Sequence, residues 1–188
     1  MVAQVFRFDD PERFVAGTVG APGQRSFFLQ ARDARRLTTV VLEKEQVSVL
    51  AERVDVMLDE VLRRSRGVAS VPAIAPADTE DLDPLDQPIV EEFRVETMTL
   101  TWDDDLERVV IAAYAPSEDD TAAEPPDDPE ESDRDVLVVR LSGAGARAFV
   151  RRAQALVAAG RPPCPLCGLP LDPEGHICPR QNGYRRRD

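Results

Sequence analysis

The chain has 188 residues, of which 43% are apolar and only 5% aromatic, and its formal net charge is −12. That length suits one core domain plus a small appendage, and the core has to be built mainly from Val, Leu and Ala. The negative balance argues against a general polyanion binder, and no run approaches the about 20 apolar residues that a bilayer-spanning helix needs.

Residues 4–8 alternate and predict a first strand, ended by a turn at Asp9-Asp10-Pro11. A second strand is predicted over Arg13 to Val19. Gly20-Ala21-Pro22-Gly23 follows as a turn, where Pro presets φ and Gly accepts positive φ. Ser26 to Gln30 and Leu37 to Leu42 give a third and a fourth strand. The connections are short, so an antiparallel meander of all four is the simplest pairing. Val47, Leu50, Val54, Leu58, Val61 and Leu62 then recur at three- and four-residue steps, with charges mostly between them. This pattern predicts an amphipathic helix from Lys44–Gln46 to near Gly67, packed on the sheet.

Residues 68–90 hold Pro72, Pro76, Pro84 and Pro88 among Asp78, Glu80, Asp81, Asp83 and Asp86, and are expected to form a flexible acidic loop. Glu92 to Trp102 is β-like. Phe93 and Val95 are out of phase with Met98, Leu100 and Trp102, which predicts a bulge near Glu96 or a strand buried on both faces. Asp103-Asp104-Asp105 makes a hairpin tip, and Leu106 to Tyr114 returns. Residues 116–133 are too acidic and too rich in Pro to offset their ordering entropy, so a second flexible acidic loop is expected there. Asp135 to Leu141 is a strand, and Ser142 caps a helix that runs to about Ala159 and turns Phe149, Val150, Ala153, Leu156 and Val157 inward. The fold class expected is α+β: an antiparallel sheet of about seven strands packed by two helices, occupying residues 1–160. The order of four strands and a helix, then three strands and a helix, raises a duplication, but the halves share no convincing residue pattern.

Residues 161–188 are expected to form a small zinc ribbon or knuckle. All three cysteines and the single histidine fall there, as Cys164-Pro165-Leu166-Cys167 and, after eight residues, His176-Ile177-Cys178. A Cys-x-x-Cys turn aims two thiolates at one ion, and His-x-Cys supplies two more ligands from one side of an extended piece. Cys164, Cys167, His176 and Cys178 thus make a closed Cys3His set suited to structural Zn2+, with no position left for a substrate. A redox Cys-x-x-Cys would instead open a helix in a thioredoxin-like unit. Three cysteines at metal spacing, behind a start without a basic and then apolar stretch, predict a reducing cytoplasm.

Residues 140–188 carry nine arginines against Asp172, Glu174 and Asp188, a surplus of six that leaves −18 on residues 1–139. Arg180, Tyr184, Arg185, Arg186 and Arg187 could contact phosphates and stack on a base, or lie against the acidic body of the same chain. Arg25, beside the glycine turn, is a further candidate for an anion or a partner. Asp103-Asp104-Asp105 lacks the spacing of a calcium loop and is expected to be solvated. With His176 assigned to metal, no histidine remains as a general base, so catalysis lacks a visible residue set.

Several segments together resemble a known bacterial family. They are Phe6-Arg7-Phe8-Asp9, Pro11-Glu12-Arg13-Phe14, the stretch from Gly20 to Gln30, Phe93-Arg94-Val95, Gly160 to Gly168, His176 to Arg180, and Asn182-Gly183-Tyr184-Arg185. Over nearly its full length the chain is similar to the DUF3090 family, sometimes labelled a repeat-protein family. The resemblance implies no established activity. It does imply coding neighbours resembling a histidine phosphatase and a lipid kinase, and so a kinase-like or phosphatase-like protein partner. The chain departs from the family in having Glu96 where a small residue is expected, and in the acidity of residues 116–133.

Three functions follow as expectations. The first is a cytoplasmic binding or adaptor protein with structural zinc. The second is an enzyme or enzyme subunit using groups such as Arg25, Arg94 and Arg108 on a phosphorylated small molecule. The third is nucleic-acid binding through the basic tail.

Overall fold

The computed structural model describes residues 3–21, 23–67, 69–117, 125–126, 128–159, 164–166 and 178. Strands β1 (Val5–Asp9), β2 (Arg13–Val19), β3 (Ser26–Arg32) and β4 (Leu37–Leu42) lead into helix α1 (Lys44–Arg64). Strands β5 (Glu91–Arg94), β6 (Thr97–Asp103), β7 (Arg108–Tyr114) and β8 (Val136–Leu141) lead into helix α2 (Gly143–Ala158). The class is α+β, and no described helix is long and apolar enough to cross a membrane.

The single antiparallel sheet of about seven strands is corrected. The described residues form eight strands in two four-stranded sheets, ordered β1-β8-β7-β6 and β2-β3-β4-β5. Two differences account for this. Strand β1 does not join the meander of β2, β3 and β4; it pairs in parallel with β8, Val5 beside Val136 and Phe8 beside Val139. The β-like stretch after Glu91 is two strands that belong to different sheets. Val95 N–H donates to Val41 C=O in one sheet at 2.7 Å, and Glu96 N–H donates to Tyr114 C=O in the other at 2.9 Å. The change of hydrophobic phase between Val95 and Met98 is this change of sheet.

One core lies between the sheets and the helices. It takes Phe14, Leu29 and Val40 from one sheet, Ile111, Leu137 and Val139 from the other, and Val47, Leu50, Val54 and Phe149 from the helices. Each fully buried Val or Leu contributes roughly 1.5–3 kcal/mol relative to exposure. Both helix starts follow from sequence. Gln46 Oε1 accepts from the Glu43 N–H at 2.8 Å, and Ser142 Oγ accepts from the Gly145 N–H at 3.1 Å. Buried Arg147 ties the helices together, its guanidinium donating to Asp55 and Asp59 on α1.

The segment between α1 and β5 is a strap fastened to the second sheet. Leu85 is buried against Val15, Phe28 and Val41 on that sheet's outer face. The buried amide of Gln30 donates to Asp86 C=O at 3.1 Å and accepts from the Asp86 N–H at 2.8 Å. Gly17 makes room for the strap, since a Cβ there would stand 2.5 Å from Leu85 Cγ. Of residues 116–133, expected to form a flexible loop, those at 118–124 and 127 lie outside the described residues.

The halves repeat. Each runs through four strands into a helix, and each sheet consists of one half's second, third and fourth strands plus the other half's first strand, in parallel with the fourth. The cross-strand rows correspond: Ala16, Leu29 and Val40 in one sheet match Leu100, Ile111 and Val139 in the other. The buried helix positions Val47, Leu50, Ala51 and Val54 match Ala146, Phe149, Val150 and Ala153 at one constant spacing along the chain.

Candidate functional site

Two of the four expected metal ligands are described. Cys164 and Cys178 are both buried, and their sulfurs lie 3.9 Å apart. A disulfide would bring the sulfurs to about 2.05 Å. Two thiolates on a tetrahedral zinc, each about 2.3 Å from the ion, are separated by about 3.8 Å. The Leu166 N–H donates to Cys164 Sγ at 3.4 Å. The donor chemistry and the sulfur spacing therefore fit zinc. Cys167 and His176 lie outside the described residues, as do Arg180, Tyr184, Arg185, Arg186 and Arg187.

Arg25 donates to the carbonyl of Ala159 at the end of α2 at 3.1 Å, a favourable place for a cation on a helix dipole. Arg94 pairs with Glu43 at 2.6 Å, and Arg108 donates to the carbonyls of Leu106 and Glu107. The described pockets bring none of these three arginines together. Asp103 Oδ1 accepts from the N–H groups of Asp105 and Leu106, so that carboxylate closes its own turn. Gly20, at φ +107, closes the β2–β3 turn as expected. Glu96 accepts from the buried guanidinium of Arg134 at 3.1 Å. Four arginines of the basic end lie on the body near acidic partners: Arg140 near Asp9, Arg147 near Asp55 and Asp59, Arg151 near Glu80, and Arg152 near Asp81.

The repeat creates two grooves, each between a helix and the edge strand of a sheet. Between α2 and β2 the groove is occupied by the strap. Arg152 donates to Ala16 C=O on β2 at 2.9 Å, to the Asp81 carboxylate at 2.7 Å and to Asp83 C=O at 2.7 Å. Arg13 holds the same carboxylate through two donors, at 2.6 and 2.9 Å, and reaches Asp86 at 3.1 Å. The Arg13 hydrogen bonds hold the Asp81 carboxyl below its ordinary value of 3.8, against the opposing effect of burial. Burial pulls the Arg152 guanidinium down from its ordinary value, while Asp81 opposes that shift.

Between α1 and β6 the corresponding groove is open among the described residues, with a volume of about 1210 Å³. Half-buried Met98, Leu100 and Trp102 form its floor, and Val49, Arg53, Val56 and Met57 its helical wall. Val49 and Val56 are 42% and 62% exposed. Among the described residues no hydrogen bond or ion pair engages the Arg53 guanidinium. Sequence reasoning missed this groove because Arg53 reads as one more charge on the solvent side of a helix. Its signal was the spacing from the preceding strand: Arg53 lies as far beyond Leu42 as Arg152 lies beyond Leu141.

A family model described as "Protein of unknown function (DUF3090)" matches residues 6–178. Neither a curated protein nor a solved structure matches the chain.

Proposed function

The chain belongs to the DUF3090 family, and from that premise we propose that it is a cytoplasmic binding or adaptor protein whose carboxyl-terminal module is closed by structural zinc. The observation that carries the reading is the pair of buried thiols, Cys164 and Cys178, at the 3.9 Å separation suited to two ligands of one tetrahedral ion. Cys167 and His176 complete the set. The ion supplies a cross-link in place of a core that so short a segment cannot build. With four protein ligands it takes no substrate.

The body carries the binding function. Its support is the open groove of α1 and β6, which presents apolar side chains beside a charged helix. The partner class to test first is a kinase-like or phosphatase-like protein. The enzyme reading loses its motivation, because Arg25, Arg94 and Arg108 are each engaged at separate places. Purification of the full chain from native cells tests both halves of the proposal. The expected preparation holds one zinc per chain and retains a defined protein partner through gel filtration. A metal-free preparation rejects the zinc reading, and a partner-free one with measurable turnover on a phosphorylated small molecule rejects the adaptor reading. Retention on a nucleic-acid column that is lost when Arg185, Arg186 and Arg187 become Ala would favour the basic tail instead.

A further inference from the structure

Interchanging the two halves puts Arg53 in the place of Arg152 and Leu100 in the place of Ala16. In the second half these positions work together. Arg152 spans the edge strand and the strap, holding Ala16 C=O with one nitrogen and the Asp81 carboxylate and Asp83 C=O with the others. In the first half the cation and the edge are present without a strap among the described residues. Ala115 N–H donates to Asp135 C=O, so alternate residues of β7 point their backbone groups at β8 and the remaining ones at β6. By the same alternation Met98, Leu100 and Trp102 turn their N–H and C=O groups to the open side of β6. An edge strand with unpaired backbone groups and an apolar flank is a template for an added chain.

We propose that the groove between α1 and β6 docks an extended segment of a partner protein, laid across β6 as residues 81–86 are laid across β2, with a carboxylate of that segment held by Arg53. The proposal rests on the binding-protein reading and names its surface and its ligand class. Apolar side chains at alternate positions of the segment meet Val56, Met57 and Leu100. At the hairpin end of the groove stand Asp104 and Glu107, so a basic residue of the segment belongs there. The recognised segment is extended, alternately apolar, acidic where it meets Arg53 and basic toward the β6–β7 turn. Arg53 gives the charge complementarity, and the chain's own strap gives the manner of binding.

Trp102 is the single tryptophan of the chain and lies on the groove floor, so its emission reports occupancy. Random ten-residue peptides displayed on phage are selected against the full chain, and the enriched sequences are titrated as synthetic peptides against the wild type, Arg53→Glu and the neighbouring surface variant Arg63→Glu. The expected peptides carry a carboxylate among alternating apolar residues and shift Trp102 emission. They bind Arg53→Glu about tenfold or more weakly and Arg63→Glu nearly as well as the wild type. No enriched peptide, or enriched peptides that bind Arg53→Glu undiminished or leave Trp102 unchanged, would overturn the proposal. A wild-type dimer that Arg53→Glu converts to a monomer would also overturn it, by making a second copy the occupant. A native partner retained equally by wild type and Arg53→Glu would reject this groove while leaving the binding-protein reading intact. If neither form retains a partner, that broader reading fails.

Discussion

Phe6 and Phe93 face each other with ring centroids 6.2 Å apart and planes tilted by 38°. Phe6 lies on β1 and Phe93 on β5, the first strands of the two halves, and each is followed by an arginine. The contact therefore joins one exchanged strand of each half, where β1 and β5 approach one another. Both rings are half-buried, so Phe6→Ala and Phe93→Ala should each cost about 1–3 kcal/mol. The double variant should cost less than the sum, by about 0.5–1.5 kcal/mol, when unfolding is followed in urea. Strict additivity would mean that the rings do not support each other.

Gly17 and Leu85 give a second test, directed at the strap. A Cβ at position 17 collides with the Leu85 side chain, so Gly17→Ala should destabilise the protein by about 1–3 kcal/mol. In a Leu85→Ala background the same substitution should cost clearly less, because the obstructing atoms are gone. Equal costs in both backgrounds would show that the strap does not lie on β2.

Acid should loosen the strap through Asp81. Its carboxyl is depressed in the folded state, chiefly by hydrogen bonds from Arg13. A depressed carboxyl contributes stability that is fully present above its unfolded value near 3.8 and is lost as pH falls through the lower folded value. Asp81→Asn should therefore be less stable than the wild type at neutral pH, and the gap between their urea midpoints should shrink as pH falls below about 4. A gap that stays constant to the lowest accessible pH would contradict the clamp.

Local features were legible in the sequence and distant pairings were not. The turn at Gly20 to Gly23, the cap at Ser142 and the amphipathic stripe of α1 depend on neighbours in the chain, and each appears where expected. Alternation in a strand tells which side chains share a face but not which sheet receives the strand, so the departure of β1 to β8 left no trace in residues 4–8. Residues 68–90 read as a flexible acidic loop because the partners of the strap's carboxylates, Arg13 and Arg152, are remote in sequence. The repeat is hidden because equivalent positions share apolar character rather than identity: Phe14 stands for Met98, Ala16 for Leu100 and Phe149 for Leu50. The open groove followed from that correspondence, and so it escaped a reading made one segment at a time. The proposed metal set rests on the spacing of soft ligands in one short segment, which is itself local, and Cys167 and His176 lie outside the described residues.

X-ray absorption at the zinc edge on the purified full chain, with total metal measured in parallel, tests the functional account most directly. The account predicts one zinc per chain with three sulfur neighbours near 2.3 Å and one nitrogen near 2.0 Å, and loss of the metal from Cys164→Ser and Cys178→Ser while the melting of the body is retained. A chain that holds no zinc, or in which Cys164 and Cys178 are joined as a disulfide, would contradict it.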